Sequence, residues 1–137
     1  MKYKELEVGK VYKKKTSVTD EMVRKFAEIT GDDNPVHLND QYAATTIFKK
    51  RISHGVLVLG LISAVLGREF PGPGTIYLNQ SASFRRPVYL DEPITVVIEV
   101  LEKIPEKSRL KLSTNVIKDN GELAIDGDAL VIFKDEE

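Results

Sequence analysis

The sequence predicts an α+β fold in which a curved antiparallel sheet wraps around one central apolar helix. Residues 55–66 (GVLVLGLISAVL) are apolar on every face, which in a helix means burial all round rather than a surface stripe. After Pro71-Gly72-Pro73-Gly74 the hydrophobic period changes from that of helices to that of strands. Asp119-Asn120-Gly121 is a hairpin signal, because Asn-Gly supplies the positive φ values that a tight antiparallel connection needs. Helices followed by a run of antiparallel strands define the class.

Taken in order, residues 8–16 have turn-and-strand character, with Val11 and Tyr12 as the apolar members. Thr19 is placed to cap a helix, and Asp20 and Glu21 follow where the helix dipole favours negative charge. Met22, Val23, Phe26 and Ile29 recur at helical spacing, and Gly31 ends the run as a C′ glycine does. Asn39 is placed to cap a second short helix carrying Tyr42, Ala43 and Ala44. Strands are expected at 75–78, 82–84, 94–102, 110–118 and 122–133, the third opening with the β-branched run ITVVIEV.

A chain of 137 residues is read as one domain, 1–137, able to bury roughly two-thirds of its unfolded surface. At 42% apolar and 30% charged it does not have the composition of a disordered chain. Twenty basic residues against 21 acidic ones leave a net charge of -1, which argues against nucleic-acid binding by bulk phosphate attraction. The absence of cysteine excludes a disulfide framework, a thiolate nucleophile and a zinc finger. The first residues, MKYKELEVGKVYKKKT, hold no apolar run that could be a signal peptide, and no segment reaches the apolar length of a membrane span, so a cytoplasmic protein without membrane attachment is expected.

The two histidines, His37 and His54, both lie in the helical half. In Gly31-Asp32-Asp33-Asn34-Pro35-Val36-His37, glycine ends one helix and proline disfavours helical geometry at Asn34. Asp32 and His37 are thus expected on an irregular loop, where a carboxylate and an imidazole can share a water and move its protons. The same letters also read as ordinary turn chemistry. At Ser53-His54-Gly55 a glycine opens the apolar helix, so that unpaired amides face outward with no side chain in the way. That is how an oxyanion hole meets a carbonyl oxygen; close packing of the helix start is the other reading. Ser63, a hydroxyl among aliphatics, either bonds back to its own helix or orients a catalytic neighbour. Asp32, Asp33, His37 and His54 include metal-ligand types, but their spacing fits no compact ligand motif, and no metal is expected.

On these residues the chain resembles the MaoC-like (R)-specific enoyl-CoA hydratases, a hot-dog-fold family. The hydratase motif is matched from Phe26 through Gly31-Asp32-Asp33-Asn34-Pro35-Val36-His37, with Ala43 and Ala44 following. The likeness continues through residues 43–48, His54-Gly55-Val56-Leu57, residues 71–78 and residues 83–88. It departs at Lys50-Arg51, where similar sequences often have Arg-Pro, which bears on loop rigidity and charge at the mouth of the site. The resemblance implies a hot-dog domain that hydrates trans-2-enoyl-CoA to (R)-3-hydroxyacyl-CoA and catalyses the reverse dehydration. Asp32 and His37 would form the dyad, the Gly55 N–H would meet the thioester oxygen, and Asn34 and Ser63 would support the dyad and its water.

On that reading the acyl chain lies along Leu57, Leu61 and Phe84, and no cofactor is needed because coenzyme A is part of the substrate. Lys49, Lys50, Arg51, Arg85 and Arg86 are candidates for its phosphates, or for plain surface charge. A homodimer or dimer of dimers is expected, since a small curved sheet leaves edges and apolar faces to cover. The alternatives are a dehydratase of (R)-3-hydroxyacyl chains on acyl carrier protein, a hot-dog thioesterase, and a non-catalytic acyl-CoA binder.

Overall fold

A computed structural model describes residues 1–135. The elements are β1 (Val11–Thr16), α1 (Asp20–Thr30), α2 (Pro35–Leu38), α3 (Asp40–Ala44), α4 (Gly55–Arg68), β2 (Thr75–Phe84), β3 (Ile94–Ile104), β4 (Arg109–Lys118) and β5 (Leu123–Phe133). The strands form one curved antiparallel sheet in the order β1-β3-β4-β5-β2, so β1 and β2 are its edges.

Alternation decides which face of the sheet is covered. Along β3 the residues Ile94, Val96, Ile98 and Val100 point inward with no exposure, and Leu110, Leu112 and Val116 do the same along β4. Against them α4 lays Val58, Ile62, Val65 and Leu66. The opposite side of α4 is not covered by the described residues: Val56 is 59% exposed, and Gly60, Ser63 and Ala64 are exposed too. Burial all round was the expectation; the sheet curls over one side of the helix, so an all-apolar helix is left with a bare stripe.

The expected breaks in the strands differ in one place. Residues 75–78 and 82–84 belong to a single strand, because Asn79-Gln80-Ser81 stays paired with Asp128-Ala129-Leu130 despite its polarity, after a register shift between Tyr77 and Asn79. The β4–β5 hairpin also forms, but only Gly121 takes a positive φ, of 89°. Gly121 N–H bonds back to the Lys118 carbonyl at 2.9 Å, and Lys118 N–H to the Glu122 carbonyl at 2.8 Å. The connection therefore needs one left-handed residue, as a glycine bulge does, rather than two.

Candidate active site

The first helix is built to stop where chemistry begins. Thr19 Oγ1 accepts the Met22 N–H at 3.2 Å at its start, and Gly31 ends it in the left-handed conformation, φ 79°. Thr30 Oγ1 turns back to the Phe26 carbonyl and accepts the Asp32 N–H at 3.1 Å. Asn34 Oδ1 accepts the Val36 N–H at 3.2 Å and, with Pro35 at the first helical position, opens α2, a helix of one turn. His37 therefore sits on helix rather than on loop, a turn too short for sequence periodicity to show. Asn39 then caps α3 through the Tyr42 N–H at 2.9 Å.

Asp32, His37 and His54 meet. One carboxylate oxygen and one ring nitrogen from each histidine lie within 4.8 Å of one another, Asp32 exposed and both histidines buried. Main-chain carbonyls, which can only accept, fix the tautomers. His37 Nδ1 lies 2.7 Å from the Ile52 carbonyl, so it carries the proton and Nε2 is left bare. His54 Nε2 lies 2.9 Å from the Asp32 carbonyl, so there Nε2 carries it. His54 Nδ1 is buried and, among the described residues, has no hydrogen-bond partner. Its ring centre lies 3.9 Å from that of His37 and 4.7 Å from that of Phe26, tilted by 31° and 54°. The Asp32 main chain is thus held at both its N–H and its carbonyl, which leaves the carboxylate to act.

Burial pushes the His37 imidazole below its ordinary pKa; the Ile52 carbonyl opposes this by stabilising the protonated ring, the nearby His54 ring adds to the depression, and Asp32 opposes it. A neutral His37 offers a lone pair at Nε2. Two acceptors, a carboxylate and that nitrogen, suit a single water that donates one hydrogen to each. Such acceptors stand about 4.5 Å apart when each hydrogen bond is of ordinary length. Asp33 takes no part in the cluster, so the metal alternative shrinks to three residues, with one nitrogen of each histidine already spent on a carbonyl.

Gly55 opens α4, whose first internal bond runs from the Val58 N–H to the His54 carbonyl at 3.3 Å. Helix geometry leaves the Gly55, Val56 and Leu57 amides without internal acceptors. Gly55 lines a cleft of about 280 Å³ with Phe48, Ile52, Val58, Phe84 and Val88 among its walls. A Cβ at Gly55 would stand 2.7 Å from Phe84 Cδ1, so the aromatic ring occupies the space that the glycine vacates. The far wall is pinned by Lys118, buried at the end of β4, whose Nζ donates to the Pro87 carbonyl at 2.9 Å and lies 3.3 Å from Glu92.

Of the other expected residues, Phe84 lies in the cleft, whereas Leu57 and Leu61 do not line it. Both pack against the core, and Leu61 lines a separate groove with Lys14, Ala64 and Val65. Helical rotation explains this: Val58, one position on from Leu57, is the residue turned toward Gly55 and Phe84. Ser63 is exposed, not buried among aliphatics, in a groove with Val56, Leu59, Gly60 and Tyr77. Among the described residues no hydrogen bond joins it to Asp32 or His37. Arg51 is not a free charge at the mouth either, since its guanidinium is turned inward onto Asp20 and the His37 carbonyl. Arg85 and Arg86 line the cleft and pair with Asp126 and Glu122. His54 is the member of the cluster that sequence reasoning placed only among possible metal ligands; its position just before the helix-opening glycine was the available signal.

Comparisons with known proteins converge on one family. The model of the MaoC like domain matches residues 5–121. A 3-hydroxybutyryl-CoA dehydratase of Methylorubrum extorquens is 47% identical over 131 residues, covering 94% of this chain and 82% of that protein. An (R)-specific enoyl-CoA hydratase of Rhodospirillum rubrum is 41% identical, covering 85% of this chain and 80% of the relative. Among solved structures, an R-hydratase from Pseudomonas aeruginosa in the unliganded form superposes with a TM-score of 0.93 at 46% identity, over 98% of this chain and 86% of that one.

Proposed function

This chain belongs to the MaoC-like domain family, and from that premise we propose that it is a hydro-lyase, hydrating trans-2-enoyl-CoA to (R)-3-hydroxyacyl-CoA and catalysing the reverse dehydration. The observation that carries the reading is the meeting of the Asp32 carboxylate with a His37 ring whose Nδ1 is committed to the Ile52 carbonyl. The bare Nε2 and the carboxylate hold one water. Its oxygen bonds to C3 of the enoyl thioester while Asp32 takes one of its protons; the C2–C3 π pair becomes the C1–C2 bond of the enolate and the carbonyl π pair moves onto the thioester oxygen. The Gly55 N–H receives that oxygen, a donor whose loss costs about 3 kcal/mol in comparable sites. The dyad then returns a proton to C2, so that water adds from one side. Asn34 supports the dyad by opening the turn that carries His37.

No cofactor takes part, coenzyme A being a portion of the substrate. Arg85 and Arg86, which line the cleft, and Lys49 and Lys50, which follow Phe48 of its wall in the chain, are the candidate cations for its phosphates. A second copy of the chain covers the bare stripe of α4: that stripe adjoins the edge strand β2, where Ile76 is 53%, Tyr77 39% and Leu78 42% exposed. Exposed apolar residues on an unpaired edge favour self-association. Any support that Ser63 gives the dyad belongs to that paired state, because its hydroxyl lies in the groove the second copy would fill. No described helix is long and apolar enough to cross a membrane, and the reading keeps the cytoplasmic location expected from sequence.

The test is loss of enoyl absorbance across a trans-2-enoyl-CoA series, with chiral analysis of the product and the same chains presented on acyl carrier protein. Formation of (R)-3-hydroxyacyl-CoA is expected, at a rate unchanged after dialysis against a strong chelator. An (S) product, thiol release without hydration, or faster turnover on the carrier protein replaces this reading with another.

A further inference from the structure

Arg51 carries a charge, yet its side chain is only 9% exposed. One end of the guanidinium, Nη2, donates to Asp20 Oδ1 at 2.5 Å; the other, Nε, donates to the main-chain carbonyl of His37 at 2.7 Å. The next residue completes the grip. Ile52 N–H donates to the Val36 carbonyl at 3.3 Å, and the Ile52 carbonyl accepts from the His37 ring at 2.7 Å. Residues 51 and 52 thus hold His37 by its ring, by its carbonyl and by the carbonyl before it.

The need for this grip follows from the length of α2. A helix of four residues has almost no internal bonding with which to hold itself, and the last carbonyls of any helix lack an internal partner. The His37 carbonyl is one of these, and Arg51 supplies its donor from outside. Asp20, in the first turn of α1, keeps the guanidinium in place. An arginine suits the task because its planar fork serves two acceptors in fixed directions, whereas the ammonium of a lysine is a single mobile point.

Resting on the hydratase reading, we propose that Arg51 is a positioning residue for His37, with Asp20 as its anchor: tying the His37 carbonyl to the first turn of α1 fixes the direction in which the imidazole faces Asp32. Arg51 then belongs to the frame of the dyad and not to the surface that meets coenzyme A. The charged groups that act on the His37 ring are Asp32 before α2 and His54 at the start of α4; Arg51 meets its carbonyl, and Asp20 with Arg24 on α1 stand behind Arg51.

The experiment compares the wild type with Arg51→Gln, Arg51→Lys, Asp20→Asn and the Arg51→Gln/Asp20→Asn pair, using crotonyl-CoA as the probe. Nitrogen-edited spectra of the imidazoles, read without substrate, are simple because the chain has two histidines. Arg51→Gln is expected to lower kcat roughly 10- to 100-fold, the scale of a misplaced catalytic group, with KM within about twofold of wild type. Arg51→Lys recovers part of the loss, Asp20→Asn loses less, and the pair loses no more than Arg51→Gln alone. In the spectra the His37 Nδ1–H resonance broadens in Arg51→Gln while the His54 resonances hold.

Wild-type kcat together with an unchanged His37 spectrum in Arg51→Gln overturns the proposal, as does a raised KM at constant kcat, which would place Arg51 on the substrate. Should Arg51→Gln fail to fold, Asp20→Asn decides, its side chain being 51% exposed: a normal kcat and spectrum there overturn the anchor. If the wild type does not hydrate crotonyl-CoA, the hydratase reading is what fails, and the spectra still decide whether Arg51 fixes His37.

Discussion

In the sheet, β3, β4 and β5 satisfy their backbone groups in long ladders with one another, running from Ile94↔Lys118 to Ile104↔Arg109 and from Arg109↔Ile132 to Ile117↔Leu123. Between Gly31 and Gly55 the backbone bonds come in short turns and single links such as Ile52 N–H to the Val36 carbonyl, and side chains hold the rest: Thr30 on the Asp32 N–H, His54 on the Asp32 carbonyl, Asn34 on the Val36 N–H, Arg51 on the His37 carbonyl. A ladder shares its load among many equivalent bonds; a set of single staples does not. Substitutions in the sheet should therefore act on stability, and substitutions in the stapled segment on turnover.

The sharpest test of that contrast is Asp32→Asn or His37→Gln, each expected to slow hydration of crotonyl-CoA by about 10²- to 10⁴-fold with an unchanged circular dichroism spectrum. Phe133→Ala, at the buried end of β5, should do the reverse: a loss of about 3–5 kcal/mol in urea unfolding, with normal turnover per folded molecule. Gly55→Ala sits between the two. Its Cβ must displace the Phe84 ring, which is 53% exposed, so the cost should fall below the roughly 1–3 kcal/mol of overpacking a core, and adding Phe84→Ala should restore kcat toward wild type while KM rises. An unaltered kcat/KM in Gly55→Ala alone would break the link between glycine and ring.

The smallest effect is in pH. His37 is depressed below its ordinary value of 6.5, so as pH falls through that value the unfolded chain takes up a proton before the folded one does. Stability should then fall on the acid side, beginning near 6.5 and levelling below the depressed value. His37→Gln should flatten this slope in urea titrations. His54→Phe, which removes the facing imidazole, should shift the acid limb of kcat/KM to higher pH.

Much of the fold is legible in the sequence because it is periodic. The caps at Thr19, Gly31 and Asn39, the apolar run of α4 and the alternation in β3 each name their element. Asn79-Gln80-Ser81 concealed the continuity of β2, since Gln80 answers a partner that sequence cannot show: its Nε2 donates to the buried Thr114 hydroxyl at 2.9 Å. At the site, Asp32 and His37 are legible as a pair because they are five positions apart in one motif. His54 and Arg51 are not, because their contacts with that motif depend on how residues 45–54 return to it. That Leu57 and Leu61 fall outside the walls of the cleft has a simpler reason: an all-apolar helix gives no phase from which to tell its faces apart.

The buried Lys118 joins the two regions. By holding Pro87 and Glu92 it fastens one wall of the cleft to the end of a sheet strand, while the facing wall comes from the segment fixed by single bonds. The two walls are also tied to each other, by the Ile52–Tyr89 bridge, by the Ser53 N–H on the Val88 carbonyl at 2.7 Å and by the Tyr89 hydroxyl on the Phe48 carbonyl at 3.0 Å. The slot is therefore braced across its width, and its bore is set by side chains rather than by movement of one wall.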